Sequence, residues 1–350
     1  MTRPIQTGYT RSKAQHTLLA IGDSMVDSAL NDISGATPWH QWPSLACQML
    51  YGLQGCNIQD RNLGMSGSRT RQLVARLPSI FTFGVPDIVA FLVGINDGTT
   101  QGGFTAQSAN STSITLSTSD FREDNFCQGQ TVQITSGTGT GSTAVIASYN
   151  GATSVATISG SWSGTTPSGA VGYQWNAWVG SGLSEVQTNL TTAIQYCLTG
   201  GVKKILVLDT VFDNTSGGET VASPNTVHQT IRGYQLAAVN SFSVSNPGQV
   251  VYSGLWTYMG NVINGTGGQS NIVTVNGTPF TISPNVDTSP AVSGYAYGYS
   301  AGSAINGIYG WGIHRSSSNG HLNQIGQTIV AQNVYNAIVA QSGWVSSLIP

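Results

Sequence analysis

Apolar residues fall in short, nearly uninterrupted runs: TLLAIG at 17–22, DIVAFLVG at 87–94 and KKILVLD at 203–209, with weaker runs at 57–62 (NIQDRN) and 249–253 (QVVYS). A run without polar alternation is what a strand buried on both faces requires. Between these runs the apolar positions take a helical period, near residues 39–51, 68–77, 183–198 and 226–242, and again at 324–339. Strand and helix in alternation predict an α/β fold with a parallel sheet covered on both faces. In such a sheet ligands sit at the carboxyl ends of the strands.

Two segments break the rhythm. Residues 104–175 are dense in Thr, Ser and Gly and carry β-branched runs (SITLST, QTVQITS, TAVIASY, SVATISG) divided by glycine-rich turns, which predicts a small all-β insert. Residues 255–315 are expected to form a second β-rich insert. NIVTVNGTPFTIS reads as a hairpin around Asn276–Gly277, and the Gly/Tyr-rich stretch after it has no assignable period. The core is then 1–103 plus 176–254 plus 316–350. Each insert follows a core strand and should emerge on the site-bearing edge, as a substrate-selecting wall or as passive decoration.

Composition narrows the functional classes. The chain has 350 residues, 39% hydrophobic, enough for one large domain with insertions. Only 7% of residues are charged and the net charge is -2, with no basic stripe, which argues against nucleic acid as a partner. No apolar run approaches the ~18 residues of a membrane span. The first residues carry a few basic side chains and a short apolar run that enters the first strand directly, which reads as strand rather than signal peptide and implies a chain that is cytoplasmic as synthesised. A surface of Ser, Thr, Asn, Gln and Gly suits a neutral polar ligand such as a carbohydrate, and equally a plain neutral surface. The four cysteines include no CxxC pair, so neither a metal nor a cofactor is expected; Cys197 reads as core, and a Cys47–Cys56 bridge stays open.

Four short blocks carry candidate chemistry. Gly22-Asp23-Ser24-Met25 follows the first strand, where a serine hydroxyl would stand exposed at a tight turn, although Ser24 alone reads equally as a helix N-cap. Asn62-Leu63-Gly64-Met65-Ser66-Gly67 follows the second strand, where glycine lets a backbone N–H approach a ligand. Gly94-Ile95-Asn96-Asp97 ends the strongest strand, and the Asn96 amide can donate into a site there, although both polar residues also suit a turn or cap. His321-Leu322-Asn323-Gln324 precedes the last helix, and of the five histidines His321 alone stands at a late loop-to-helix junction.

In this order the blocks resemble those of the SGNH (GDSL-like) hydrolases, over the core segments but not the inserts. The resemblance implies a flavodoxin-like, three-layer α/β/α core with sheet order 2-1-3-4-5. It implies Ser24 as nucleophile and His321 as general base, with an oxyanion hole made by the Ser24 and Gly64 amides and the Asn96 side chain. The family usually has an Asp three residues before the His, and here Ser318 stands there. Three explanations compete: a Ser–His dyad, a substitute carboxylate (Asp287, Asp209 or Asp213), or a weakened relative. The implied activity is hydrolysis of short acyl esters on a small acyl ester or an O-acetylated glycan. The aromatics Trp256, Tyr258, Tyr295, Tyr297, Tyr299, Tyr309 and Trp311 suit sugar stacking or insert packing. The alternatives are a lipase or thioesterase of the same type, or a glycan-binding tail module. Part of the first insert resembles small β-modules of bacteriophage tail proteins, which implies a virion-associated enzyme; such proteins are often oligomeric, but no oligomer seam is visible.

Overall fold

The computed structural model describes residues 15–27, 41–98, 101–117, 124–125, 127–175, 183–211, 224–275, 278–281, 314–316, 319–322, 324–341 and 343–349. In chain order these form β1 (His16–Gly22), α1 (Trp42–Gln54), β2 (Ile58–Gly64), α2 (Thr70–Ala75) and β3 (Ile88–Leu92). Seven strands follow: β4 (Gln101–Ala106), β5 (Ser108–Ala109), β6 (Ser113–Thr115), β7 (Thr131–Ser136), β8 (Thr143–Asn150), β9 (Val155–Ser159) and β10 (Val171–Trp175). The core resumes with α3 (Glu185–Thr199), β11 (Ile205–Leu208), α4 (Thr226–Asn240), β12 (Val250–Tyr252) and α5 (Leu255–Asn264). Two hairpins, β13 (Ile272–Val275) with β14 (Thr278–Thr281) and β15 (His314–Ser316) with β16 (Asn319–Leu322), precede α6 (Gln324–Val339).

The main sheet has the order β12-β11-β3-β1-β2, with every neighbouring pair parallel. Counted along the core strands this is 2-1-3-4-5, the expected flavodoxin-like order. Successive residues of β1 serve opposite faces. Leu18 and Ala20 join a core with α1, α5 and α6, while Leu19 and Ile21 join one with α2, α3 and α4. All four are fully buried, as a strand between two helical layers must be.

Local signals fix the helix ends. Pro43 opens α1 and Gly55, at φ 71°, closes it with its N–H on the Leu50 and Tyr51 carbonyls. The Asn225 side chain caps α4 by accepting from the Val227 and His228 amides.

The second sheet, β4-β10-β7-β8-β9-β6-β5, has its own core, in which Ile134, Ile146, Ile158 and Tyr173 are buried. Its strands alternate cleanly, as in β9, where Ala156 and Ile158 turn inward and Thr157 and Ser159 outward.

One expectation is corrected. Residues 255–264 do not begin a β-rich insert; they form α5. Leu255, Met259, Val262 and Ile263 recur at helical spacing and bury one stripe in the main core. Trp256 and Tyr258 therefore belong to the core layer, packed against its edge. Of the expected second insert the structure describes the β13–β14 hairpin, whose loop residues 276–277 and following residues 282–313 lie outside the described residues, with Tyr295, Tyr297, Tyr299, Tyr309 and Trp311 among them.

Candidate active site

The site forms where β1, β2 and β3 end together. Gly22 pairs with Gly64 on one side and with Leu92 on the other, so the loops after all three strands leave the same edge side by side. The packing there admits no larger residue. A Cβ on Gly22 would lie 1.9 Å from the Leu92 carbonyl oxygen, and one on Gly64 would lie 2.1 Å from the Asp27 amide nitrogen.

Ser24 sits in a single tight turn built around Asp23. The Asp23 carbonyl accepts from the Val26 and Asp27 amides (3.1 and 2.9 Å), its carboxylate from the Met25 amide (2.9 Å), and its own N–H reaches the Leu92 carbonyl (3.2 Å). Ser24 is buried within this turn. Burial pushes the Asp23 carboxyl up to about 7. The Met25 N–H and the Arg76 guanidinium oppose that rise, and the neighbouring Asp97 adds to it.

The glycine block lies across this turn. The Met65 amide donates to the Gly22 carbonyl (3.0 Å) and the Ser66 amide to the Asp27 carboxylate (2.9 Å). Asn62 donates from Nδ2 to the Val26 carbonyl (2.6 Å) and accepts at Oδ1 from the Gly64 amide (2.8 Å). The Gly64 N–H is thus engaged inside the loop rather than presented by it. Gly67, at φ 70°, turns the tip, and the Ser68 amide closes the turn on the Met65 carbonyl (3.1 Å).

Asn96 and Asp97 lie in the short 3-10 turn Ile95–Gly98 and point to different partners. Asn96 Nδ2 donates to the Ser68 carbonyl (3.2 Å), which ties the third block to the glycine block. Asp97 is buried and accepts from the Thr70 amide (3.0 Å) and hydroxyl (2.7 Å), so it caps α2 from a distant segment. Burial pushes its carboxyl up to about 6, against the pull of those two hydrogen bonds.

The His321 backbone belongs to β16, paired antiparallel with β15 through His314 opposite Leu322. Leu322 is buried in the same core cluster as Met25 and Val26. Trp42 links the two segments: its indole donates to the Met25 carbonyl (3.1 Å) and its amide to the Gln327 side chain of α6 (3.0 Å). The His321 side chain, Ser318, Asp213 and Asp287 lie outside the described residues. Asp209 is described and its two oxygens are engaged elsewhere, by the Tyr252 hydroxyl and the Trp256 amide, both at 2.7 Å.

Among the described residues no cluster of His, Cys, Asp or Glu could hold a metal ion. No described helix is long and apolar enough to cross a membrane. Cys47, Cys56, Cys127 and Cys197 are all buried and unbridged in the structure.

Asn62 opens the second block, but its hold on the Ser24 turn and on the Gly64 amide was not read from the sequence. Its signal was the Asn-x-Gly spacing, which favours a side-chain turn onto the amide two residues on.

No protein-family model and no curated protein matches the chain. Solved structures similar to it include an acetyl xylan esterase (13% identity, 92% of this chain and 99% of that one, TM-score 0.44). An acetylxylan esterase from Geobacillus stearothermophilus (15% identity, 92% and 93%, TM-score 0.43) and the protein TesA (13% identity, 92% and 98%, TM-score 0.40) are also similar. At such identities and scores the functional assignment rests on the chain's own site.

Proposed function

We propose that the protein is a serine ester hydrolase of the SGNH type, with Ser24 as nucleophile and His321 as general base. The observation that carries this reading is the convergence of the first three blocks: the Ser24 turn, the glycine loop and Asn96 are joined by direct hydrogen bonds, and Trp42 ties the Ser24 turn to the helix that follows β16.

In this scheme His321 takes the Ser24 proton as the oxygen attacks an ester carbonyl, and returns it to the departing alcohol. Water then cleaves the acyl-enzyme by the same route. The oxyanion is held by the Ser24 amide, an amide of the glycine loop and the Asn96 side chain. We place the loop amide in the segment 64–67, whose tip at Gly67 directly precedes Ser68, the residue whose carbonyl holds the Asn96 amide.

The substrate we favour is a short acyl ester, an O-acetyl group on a neutral glycan. The second sheet supports it: several of its outward positions bear hydroxyls or amides (Gln133, Thr135, Thr157, Ser159), and Met65 of the glycine loop packs against its core. The second reading is a longer acyl chain, for which the fold offers an apolar cavity away from Ser24 and Asn96. This cavity of about 420 Å³ opens between α1, β13 and the start of α6, with Leu45, Met49 and Leu53 as its apolar wall and Gln324 at its rim.

The test is hydrolysis of p-nitrophenyl acetate, butyrate and octanoate. Ser24→Ala should be inactive, and Asn96→Ala should lose roughly two to three orders of magnitude in kcat. Acetate cleaved fastest supports the short-acyl reading, and octanoate cleaved fastest supports the second. A Ser24→Ala protein that keeps the wild-type rate removes Ser24 from the scheme. A wild type at background rate moves the protein to the glycan-binding class.

A further inference from the structure

The carboxyl ends of parallel strands leave carbonyls beyond the last ladder bond, and these need partners. At β1 the Met65 amide supplies one partner, and a single side chain adds a donor at both β1 and β2. Arg76, the residue that closes α2, is 5% exposed and reaches back beneath the site. Its Nη2 donates to the Gly22 carbonyl (2.9 Å) and to the Ser68 hydroxyl (3.3 Å), and its Nη1 donates to the Leu63 carbonyl (2.9 Å). Gly22 is two residues before Ser24. Leu63 and Ser68 bracket the glycine loop, and the Ser68 carbonyl holds Asn96.

Resting on the reading above, we infer that Arg76 is a positioning residue: its guanidinium fork sets the spacing between the nucleophile turn and the loop that carries the oxyanion donors. The planar fork suits this task because it meets two carbonyls on neighbouring strands at fixed geometry, which an ammonium group does not do. The other end of α2 is held at Thr70 by Asp97, the neighbour of Asn96. The helix thus joins the first three blocks at both of its ends. Arg71, on the same helix, pairs with Glu185 of α3 instead (2.6 Å) and serves as the control for a purely structural cation.

The experiment compares Arg76→Lys, Arg76→Gln, Ser68→Ala and Arg71→Gln with the wild type. It reads kcat and KM on p-nitrophenyl acetate, the rate at which a fluorophosphonate labels Ser24, and Tm. Both Arg76 variants should lose roughly ten- to a hundredfold in kcat and in labelling rate, with KM within about twofold, because small misplacements of reacting groups cost rates of that order. Ser68→Ala, which removes one arm of the clamp, should lose a few-fold in kcat at an unchanged Tm. Arg71→Gln should lower Tm and leave kcat unchanged. If Arg76→Lys or Ser68→Ala is folded and keeps wild-type kcat and labelling, the inference is overturned. Ser24→Ala tests the underlying reading separately: activity that survives it sinks the hydrolase site, whereas activity lost there but intact in the Arg76 and Ser68 variants sinks only the clamp.

Discussion

Asp23 offers a quantitative test of how the Ser24 turn is built. Its carboxyl is 1% exposed and burial raises it from 3.8 to about 7. The folded state therefore holds the proton more tightly than the unfolded chain does. Such a group contributes stability that is fully present below 3.8 and is lost as the pH rises through about 7. The whole span corresponds to about 4 kcal/mol. Between about pH 5 and about pH 8.5 the loss is about 3 kcal/mol, because part of it has already occurred by pH 5. Asp23→Asn keeps an oxygen for the Met25 amide and cannot ionise, so it should remove this term alone. The assay is urea denaturation of both proteins at the two pH values. The wild type should weaken by about 3 kcal/mol more than Asp23→Asn as the pH rises. Equal pH dependence in the two proteins would refute the reasoning, since it would mean that Asp23 titrates alike folded and unfolded.

Glycine contacts give a paired test by thermal unfolding. Gly22→Ala should prevent stable folding, because its Cβ would meet the Leu92 carbonyl carbon at 2.8 Å and the oxygen closer still. Gly52→Ala in α1 meets nothing within 4 Å and should stabilise by about 0.5–1 kcal/mol; a stable Gly22→Ala would show that the strand ends are looser than described. Asp209→Asn should lower Tm while leaving kcat within a few-fold, because the Asp209 oxygens already serve Tyr252 and Trp256. A large loss of kcat with a native Tm would instead make Asp209 the carboxylate that orients His321.

The main sheet was legible because its strands are buried on both faces and so read as apolar runs; β3 (IVAFL) and β11 (ILVL) have no exposed position. The edge strand β2 (IQDRNLG) read weakly for the same physical reason, since only Ile58 is buried in it. Its polar residues do local work that hydropathy does not report, with Asn62 holding the Ser24 turn. The helix α5 was misread because Trp256 and Tyr258 made LWTYMGNVIN look like the start of an aromatic insert. The apolar stripe through Leu255, Met259 and Val262, with Gly254 and Gly265 at its ends, was the better guide. The blocks around Ser24 and Asn96 were legible as short motifs at strand ends. That the Gly64 N–H is taken up inside its own loop was not, because that depends on where Asn62 places its side chain. Nor was the role of Asp97, whose partner Thr70 lies 27 residues earlier on a separate element.

Charge is scarce in this chain, yet some of its least exposed charged residues gather under one loop. Asp23, Arg69, Arg76 and Asp97 are each 5% exposed or less. Burying an ion costs several kcal/mol, and apolar side chains of similar volume often stabilise as well or better. The contacts these four make are directional instead. Asp23 closes the Ser24 turn, Asp97 caps α2, Arg76 spans β1 and β2, and Arg69 donates to the side chain of Gln130 directly before β7 of the second sheet. The Arg71 guanidinium reaches the Gln128 carbonyl in the same turn, where a Cβ on Gly129 would collide with it. Apolar contacts fill volume but tolerate sliding, whereas these bonds specify register. The glycine loop, α2 and the second sheet therefore share one set of fastenings, and the sheet that borders the loop is held by the helix that positions it.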